Sequence, residues 1–256
     1  MKTQSVVIFG CGNVASYFAE RFKLLNFTIL QVYHPSIQKA NTLASSYQAT
    51  AIDHISEVNQ QADIYFIAVK DSAIQSIAAQ LSITNGIVLH TSGSIKLEVL
   101  NKHARAAVFY PLQTFTKGIK TVNQYFPLLI ESKEKKDEAY LEQLALKMNM
   151  QVHFMNSIER TEIHLAAVFA ANFANHCIKI GYDLMASKKH PSAMLLPLIK
   201  ESINKLSYIT PHEAQTGPAI RHDDVTIDKH LQMLNNNHSL QLLYELLTKN
   251  IQSSNQ

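Results

Sequence analysis

Cysteine is scarce in this chain: Cys11 and Cys177 are the only two among 256 residues. That excludes a disulfide scaffold, and with one of the pair inside a glycine turn it points to a reduced, cytoplasmic protein. Neither sign of charge dominates. Against 23 Lys and Arg stand 20 Asp and Glu, a net +3 with no basic block, so nucleic acid is not an expected partner. No apolar run approaches the roughly 18 residues of a membrane span. The run after Met1-Lys2 is short and ends in glycine, so neither a membrane anchor nor a signal peptide is expected. Repeats and low-complexity linkers are missing too. What is there is 46% apolar and 17% charged, enough for a sizeable core at a length that fits two domains or one large one.

The chain is organised around its first turn. Val6 to Phe9 is an unbroken apolar run, as expected of a strand buried on both faces. Gly10-Cys11-Gly12-Asn13-Val14-Ala15 then reads G-x-G-x-x-A, and helical spacing continues from Val14 to Leu25. Strand, tight glycine turn and helix are the context in which this pattern binds a dinucleotide. Gly10 permits the turn, Gly12 lets backbone approach a pyrophosphate, and Ala15 lets the helix pack closely on the strand. The amides of Gly12, Asn13 and Val14 would face the anion from the positive end of the helix.

Strands are expected next at Thr28–Tyr33, Ala51–Asp53, Asp63–Val69, Gly86–His90, Ala107–Tyr110, Phe126–Ile130 and Val152–Met155. Helices are expected over Ile37–Ala49, Glu57–Gln61, Ala73–Leu81, Ile95–Lys102 and Lys133–Met148. This βα alternation predicts a doubly wound, Rossmann-type parallel sheet with right-handed crossovers. An NAD site usually carries Asp or Glu at the end of the second strand. Here that strand ends in Tyr33-His34-Pro35-Ser36 without a carboxylate. His34, Ser36 and Lys39 would instead hold the 2′-phosphate of NADP, which favours NADP(H) over NAD(H). Their other reading is as ordinary cap and surface residues. Val69, ending its strand, is expected on the nicotinamide side.

From Asn156 the strand signals stop, so the domains are set at 1–155 and 156–256. Asn156 with Glu159 makes a capping box, opening a helix expected to run to about Lys188 with Gly181 as a bend. Leu165 to Ala171 is apolar all round, so this helix should be packed on several sides. Asn172, Asn175 and His176 interrupt it on one helical face, either in a satisfied polar pocket or helix contact, or as a cleft wall facing the nicotinamide. Further helices are expected over Leu195–Leu206, Asp224–Asn235 and Asn237–Gln252, with Thr216-Gly217-Pro218 as a rigid turn. The second half is thus all-helical.

Histidine titrates near neutrality, so His90, His164 and His176 are the candidate proton donors. His90 ends a strand at the ligand edge of the sheet, and Ser92 and Gly93 after it would hold a carboxylate or carbonyl. The same loop would also cap the following helix through Ser94. Arg221 suits bidentate recognition of an anionic substrate, or an ion pair with Asp223 or Asp224. Thr216, Gly217 and Asn175 complete the substrate set, and Asn172 with Ser92 would orient the reacting carbonyl or imine. No ligand spacing for zinc exists around His212, His222, Asp223 and Asp224, so no metal is expected.

Five stretches carry a family resemblance: Gly10–Ala15, Leu89–Gly93, Tyr110–Phe115, Ala166–His176 and Ala214–Arg221 with Asp223. Together they resemble the family that joins a Rossmann-like NADP-binding domain to a helical domain of unknown function. That family is related to pyrroline-5-carboxylate reductase and to the deazaflavin-dependent NADP reductases. The resemblance covers nearly the whole chain. It implies an oxidoreductase of unestablished substrate, with a C-terminal domain of the 6-phosphogluconate-dehydrogenase kind. β-Hydroxyacid dehydrogenases of similar architecture place a Lys one turn before the Asn of the central helix; here Val168 stands there. The expected function is NADP-dependent hydride transfer to or from a small anionic keto or imino compound. The alternative is a non-catalytic NADP-binding redox or metabolite sensor. The apolar central helix, and pairing among related reductases, lead to an expected homodimer through the helical half.

Overall fold

The computed structural model describes residues 3–116, 118–119 and 125–254. These form one eight-stranded, mostly parallel sheet with helices on its faces, followed by a helical C-terminal part. Strands β1 (Ser5–Phe9), β2 (Thr28–Tyr33) and β3 (Thr50–Ile52) alternate with helices α1 (Asn13–Leu24) and α2 (Ile37–Ala44). Then come β4 (Ile64–Ile67), α3 (Asp71–Gln80), β5 (Ile87–His90), β6 (Ala106–Pro111), β7 (Pro127–Ser132), α4 (Lys135–Lys147) and β8 (Gln151–Phe154). The strand order is β3-β2-β1-β4-β5-β6-β7-β8, which contains the dinucleotide-fold order 3-2-1-4-5-6.

The unbroken apolar runs follow from burial on both faces. Val6 and Ile8 of β1 join the core that also holds Phe18 and Phe22 of α1, whereas Val7 and Phe9 join the opposite core with Ile74 and Ile77 of α3. Alternate side chains of one strand thus serve two layers. Phe18 and Phe22 pack on Phe66 with ring centroids 4.9 and 5.4 Å apart, each contributing about 1.5–3 kcal/mol of burial.

One expectation about the sheet is corrected. β7 runs antiparallel to β6, because no helix among the described residues lies between them to carry a parallel crossover. β7 and β8, joined through α4, are parallel again. The expected helix over residues 95–102 is only a 3-10 turn, Leu97–Leu100, and that over 57–61 is a 3-10 turn at Ile55–Glu57. Both follow short loops and lack the length that favours an α-helix.

The chain divides into two compact units, Met1–Ala174 and Asn175–Gln256. The first unit ends with α5 (Ser157–Ala167), opened by the Asn156–Glu159 capping box, and a π-helical stretch, Val168–Phe173. Leu165, Phe169 and Phe173 are exposed, at 59%, 63% and 51%. Within the chain, then, this segment is not enclosed on every side as its composition led one to expect. The second unit holds α6 (Ala174–Ser187), α7 (Leu195–Asn204), α8 (Pro211–Ala214), α9 (Asp224–Met233) and α10 (His238–Ser253). Gly181 lies inside α6, where a Cβ would come 3.3 Å from Leu195 Cδ1; the glycine serves close packing on α7. Among the described residues, no helix is long and apolar enough to cross a membrane.

Candidate functional site

The site begins where β1 ends. Gly10 has φ +107°, and a Cβ there would lie 2.2 Å from the Ala68 carbonyl oxygen, so both conformation and space require glycine. Its amide donates to Tyr33 O, and the Ala68 amide donates to Phe9 O, which pins the turn between the ends of β2 and β4. Gly12 differs: a Cβ there would meet no protein atom within 4 Å. Packing against protein atoms does not explain this glycine. Gly12 is also the N-cap of α1, and no side chain caps that helix, so its first amides remain directed at the same space.

That space is a cavity of ≈ 640 Å³ bounded by the turn Gly10–Val14, by Tyr33–Pro35, and by Ala68, Val69 and Lys70 after β4. Gln113 and Phe115 close another side. The Asn13 side chain does more than the motif implies: its Nδ2 donates to the Phe115 carbonyl at 2.7 Å, tying the phosphate turn to the segment after β6. Only the pairing of β6 could have revealed this. A second cavity of ≈ 570 Å³ adjoins Cys11 and Gly12 and is lined by Ser16, His34, Lys39, Thr42 and Ser46. Among the described residues, no carboxylate borders it. His34 lines both cavities, and its Nδ1 accepts from the Ser36 amide at 2.9 Å. Ser36 borders neither; it is the N-cap of α2, and its hydroxyl bonds Gln38 Oε1. Ala15 is buried against the sheet rather than in the cavity.

At the end of β5, His90 is wholly enclosed, at 0% exposure. Its Nδ1 accepts from the Ser92 amide at 3.2 Å, which leaves the proton on Nε2. Burial lowers its pKa to about 4; the Arg160 charge adds to the lowering, and the Lys96 backbone carbonyl and Asp71 oppose it. His90 is therefore a neutral ring at pH 7. Ser92 Oγ accepts from the amides of Ser94 and Ile95 at 3.1 and 3.0 Å, the capping role foreseen for Ser94 but carried by Ser92. The Ser94 hydroxyl bonds Asp71 Oδ2 at 2.6 Å.

Asn172 is exposed, in the π-helical stretch. The i, i+3 and i, i+4 spacing assumed for it presupposes unbroken α-helix, and a π-turn changes that register. In the second unit, Asn175, His176, Thr216 and Arg221 are exposed, and Gly217 has φ +112°. Asp223 caps α9, accepting from the Thr226 amide and hydroxyl at 3.1 and 2.9 Å. Those bonds hold its carboxyl below the usual range, with Arg221 a lesser contributor. Among the described residues, the one group of side chains close enough to share a metal ion is Asp53, His54 and Glu57, which borders neither cavity.

A sheet of this order, with a glycine turn opening a cavity at its C-terminal edge, defines the dinucleotide-binding oxidoreductase class. Residues 5–91 match the family described as NADP oxidoreductase, coenzyme F420-dependent, and residues 126–251 match the domain of unknown function DUF2520. A solved structure of a putative NADP oxidoreductase from Bacteroides fragilis is 35% identical, covers 98% of both chains and superposes with a TM-score of 0.91. A Thermotoga maritima protein is 20% identical over 98% of both chains, with a TM-score of 0.69. The 1-pyrroline-5-carboxylate reductase of Streptococcus pyogenes shares the fold at 11% identity and a TM-score of 0.62, covering 98% of this chain and 99% of its own. No curated protein matches the chain. The chain belongs to the family that joins an NADP oxidoreductase domain to the DUF2520 domain.

Proposed function

We propose that this protein is an NADP(H)-dependent oxidoreductase acting on a small anionic keto or imino compound. The observation that carries this reading is the turn Gly10–Val14 with unobstructed Gly12, opening the uncapped end of α1 onto the ≈ 640 Å³ cavity. Gly12, Asn13 and Val14 would hold the pyrophosphate through their amides, and Val69 would lie beside the nicotinamide. His34 and Lys39, in a second cavity without a carboxylate among the described residues, suit the 2′-phosphate and support NADP over NAD; Ser36 would act by fixing His34. A bound nicotinamide cofactor would supply or accept the hydride; the protein orients and excludes water. Ser92, whose oxygen already accepts two amides, retains its hydroxyl proton to orient a carbonyl or imine beside Gly93. Asn172 of the first unit would join Ser92 in orienting the substrate; within the second unit, Asn175, His176, Thr216, Gly217 and Arg221 remain candidate substrate groups, with Arg221 suited to an anionic part.

Calorimetry with the four nicotinamide dinucleotides tests the cofactor. NADPH should bind more tightly than NADH. Binding of neither would overturn the site, and tight NADPH binding without turnover on keto or imino acids would favour a sensor. We also propose a homodimer through the helical part from residue 156 onward. The second unit exposes Met194, Leu198, Ile203 and Leu246 and buries few side chains of its own, a surface suited to association. Light scattering at micromolar concentration should give twice the chain mass; a monomer would refute it.

A further inference from the structure

One pair of side chains in the first unit has no part in the dinucleotide turn, yet it is built with care. The Tyr110 hydroxyl near the end of β6 and His164 Nδ1 on α5 lie 2.9 Å apart. Their rings meet edge to face at 5.6 Å and 84°. Gly93 lies flat against both: a Cβ there would be 2.7 Å from His164 Cγ and Nδ1 and 2.9 Å from Tyr110 Cζ. Glycine is needed because the pair occupies the place of a side chain. The loop that carries Gly93 is fixed on one side by Ser94 on Asp71, which opens α3 directly after the cavity-lining Lys70.

It is fixed on the other side by Arg160, one helical turn before His164 and fully buried. Arg160 pairs with Glu131 of β7 and donates to the Ile95 carbonyl at 2.6 Å and to Ser157 Oγ at 3.2 Å. The face of α5 that carries Ser157, Arg160 and His164 is therefore docked on the loop 91–97. Tyr110 and His164 thus stand at the C-terminal edge of the parallel strands, where ligands of such sheets bind.

Resting on the hydride-transfer reading above, we propose that Tyr110 is the proton donor of this site and that His164 returns the proton to it. As the substrate carbon receives hydride, the C=O or C=N π pair moves onto the heteroatom, which takes the phenolic proton of Tyr110. His164 passes its Nδ1 proton to the phenolate while Nε2 takes one from water, so the ring ends neutral and the net change is uptake of one hydride and one proton. In the oxidative direction each step reverses. The charged groups that act on Tyr110 are Asp71 of α3 and Arg160 of α5. Burial first, then Asp71, raises its pKa, and Arg160 opposes them. Tyr110 therefore holds its proton at neutral pH, and a phenolate formed in turnover needs the adjacent imidazole to be quenched.

The test uses the full chain and the variants Tyr110→Phe and His164→Gln, each first checked for an unchanged far-UV spectrum. In protein labelled with 15N-histidine, Tyr110→Phe should move the His164 Nδ1 resonance. A spectrum indifferent to the change overturns the relay, whether or not a substrate is known. NADPH oxidation is then followed with glyoxylate, pyruvate and 1-pyrroline-5-carboxylate as probes. Tyr110→Phe should lower kcat by about 100-fold or more, within the range of a lost general acid, with NADPH affinity unchanged. His164→Gln should lower kcat less and displace the pH profile. Full turnover in Tyr110→Phe, or a loss confined to NADPH binding, overturns the assignment. If none of the three probes is turned over, the histidine spectrum decides. Failure of the unaltered protein to bind NADPH would instead sink the oxidoreductase reading.

Discussion

The neutral, enclosed ring of His90 should make the first unit acid-labile in a calculable way. Its pKa is about 4 in the folded chain against 6.5 in an unfolded one. Between those values the unfolded chain binds the proton and the folded one resists it. The contribution to stability is full above pH 6.5 and falls as pH drops toward 4. At 1.36 kcal/mol per pKa unit, the loss is about 2 kcal/mol at pH 5 and about 3 kcal/mol below pH 4. Urea unfolding at pH 8 and pH 5 would read it, with His90→Leu as the reference. The variant should be weaker at pH 8 by about 1–3 kcal/mol, because the Ser92 amide loses its acceptor, but should lack this part of the acid loss. His103, also lowered first by burial, titrates in both proteins and cancels in the comparison. Equal losses between pH 8 and pH 5 in the two proteins would refute the reasoning.

The two turn glycines should separate stability from binding. Gly10→Ala meets the Ala68 carbonyl at positive φ and should cost several kcal/mol in thermal unfolding, whereas Gly12→Val should melt as the unaltered protein does and lose NADPH in calorimetry. Lys39→Gln should weaken NADPH about tenfold and leave NADH unchanged, in keeping with one lost charge-assisted contact of about 1.4 kcal/mol. Arg160→Met leaves Glu131 without its buried partner and frees the Ile95 carbonyl; about 3–5 kcal/mol should be lost in denaturant, with the loop 91–97 gaining amide exchange.

The parallel core was legible because its signals are local. The apolar runs at Val6–Phe9 and Asp63–Val69, and the Gly10–Ala15 spacing, each name their own element. The reversal of β7 was not, since strand direction depends on what lies between two strands and no pattern in Phe126–Ile130 records it. Of the candidate site, the glycine turn and the missing carboxylate after β2 were readable in the sequence; the cavities they border were not. His164 stood out only as one of several histidines; its partnership with Tyr110 joins residues 54 positions apart and has no linear signature. His90 shows the limit most plainly. Its place at a strand end suggested a proton donor, and only the depth of its burial makes it a neutral ring.

The reversal at β7 also decides which end of the sheet the intervening chain visits. β6 ends at Pro111 and β7 begins at Pro127 on the same edge of the sheet, where the Leu112 amide donates to the Pro127 carbonyl at 2.9 Å. Gln113 and Phe115 reach the cavity for that reason alone. Both residues wall the cavity, while the Phe115 backbone carbonyl holds Asn13 of the turn, so a change of either side chain leaves that bond and the register of β1 to β5 in place. Selection, or an engineer, can therefore alter what the cavity admits while the apparatus that holds the dinucleotide stays as it is.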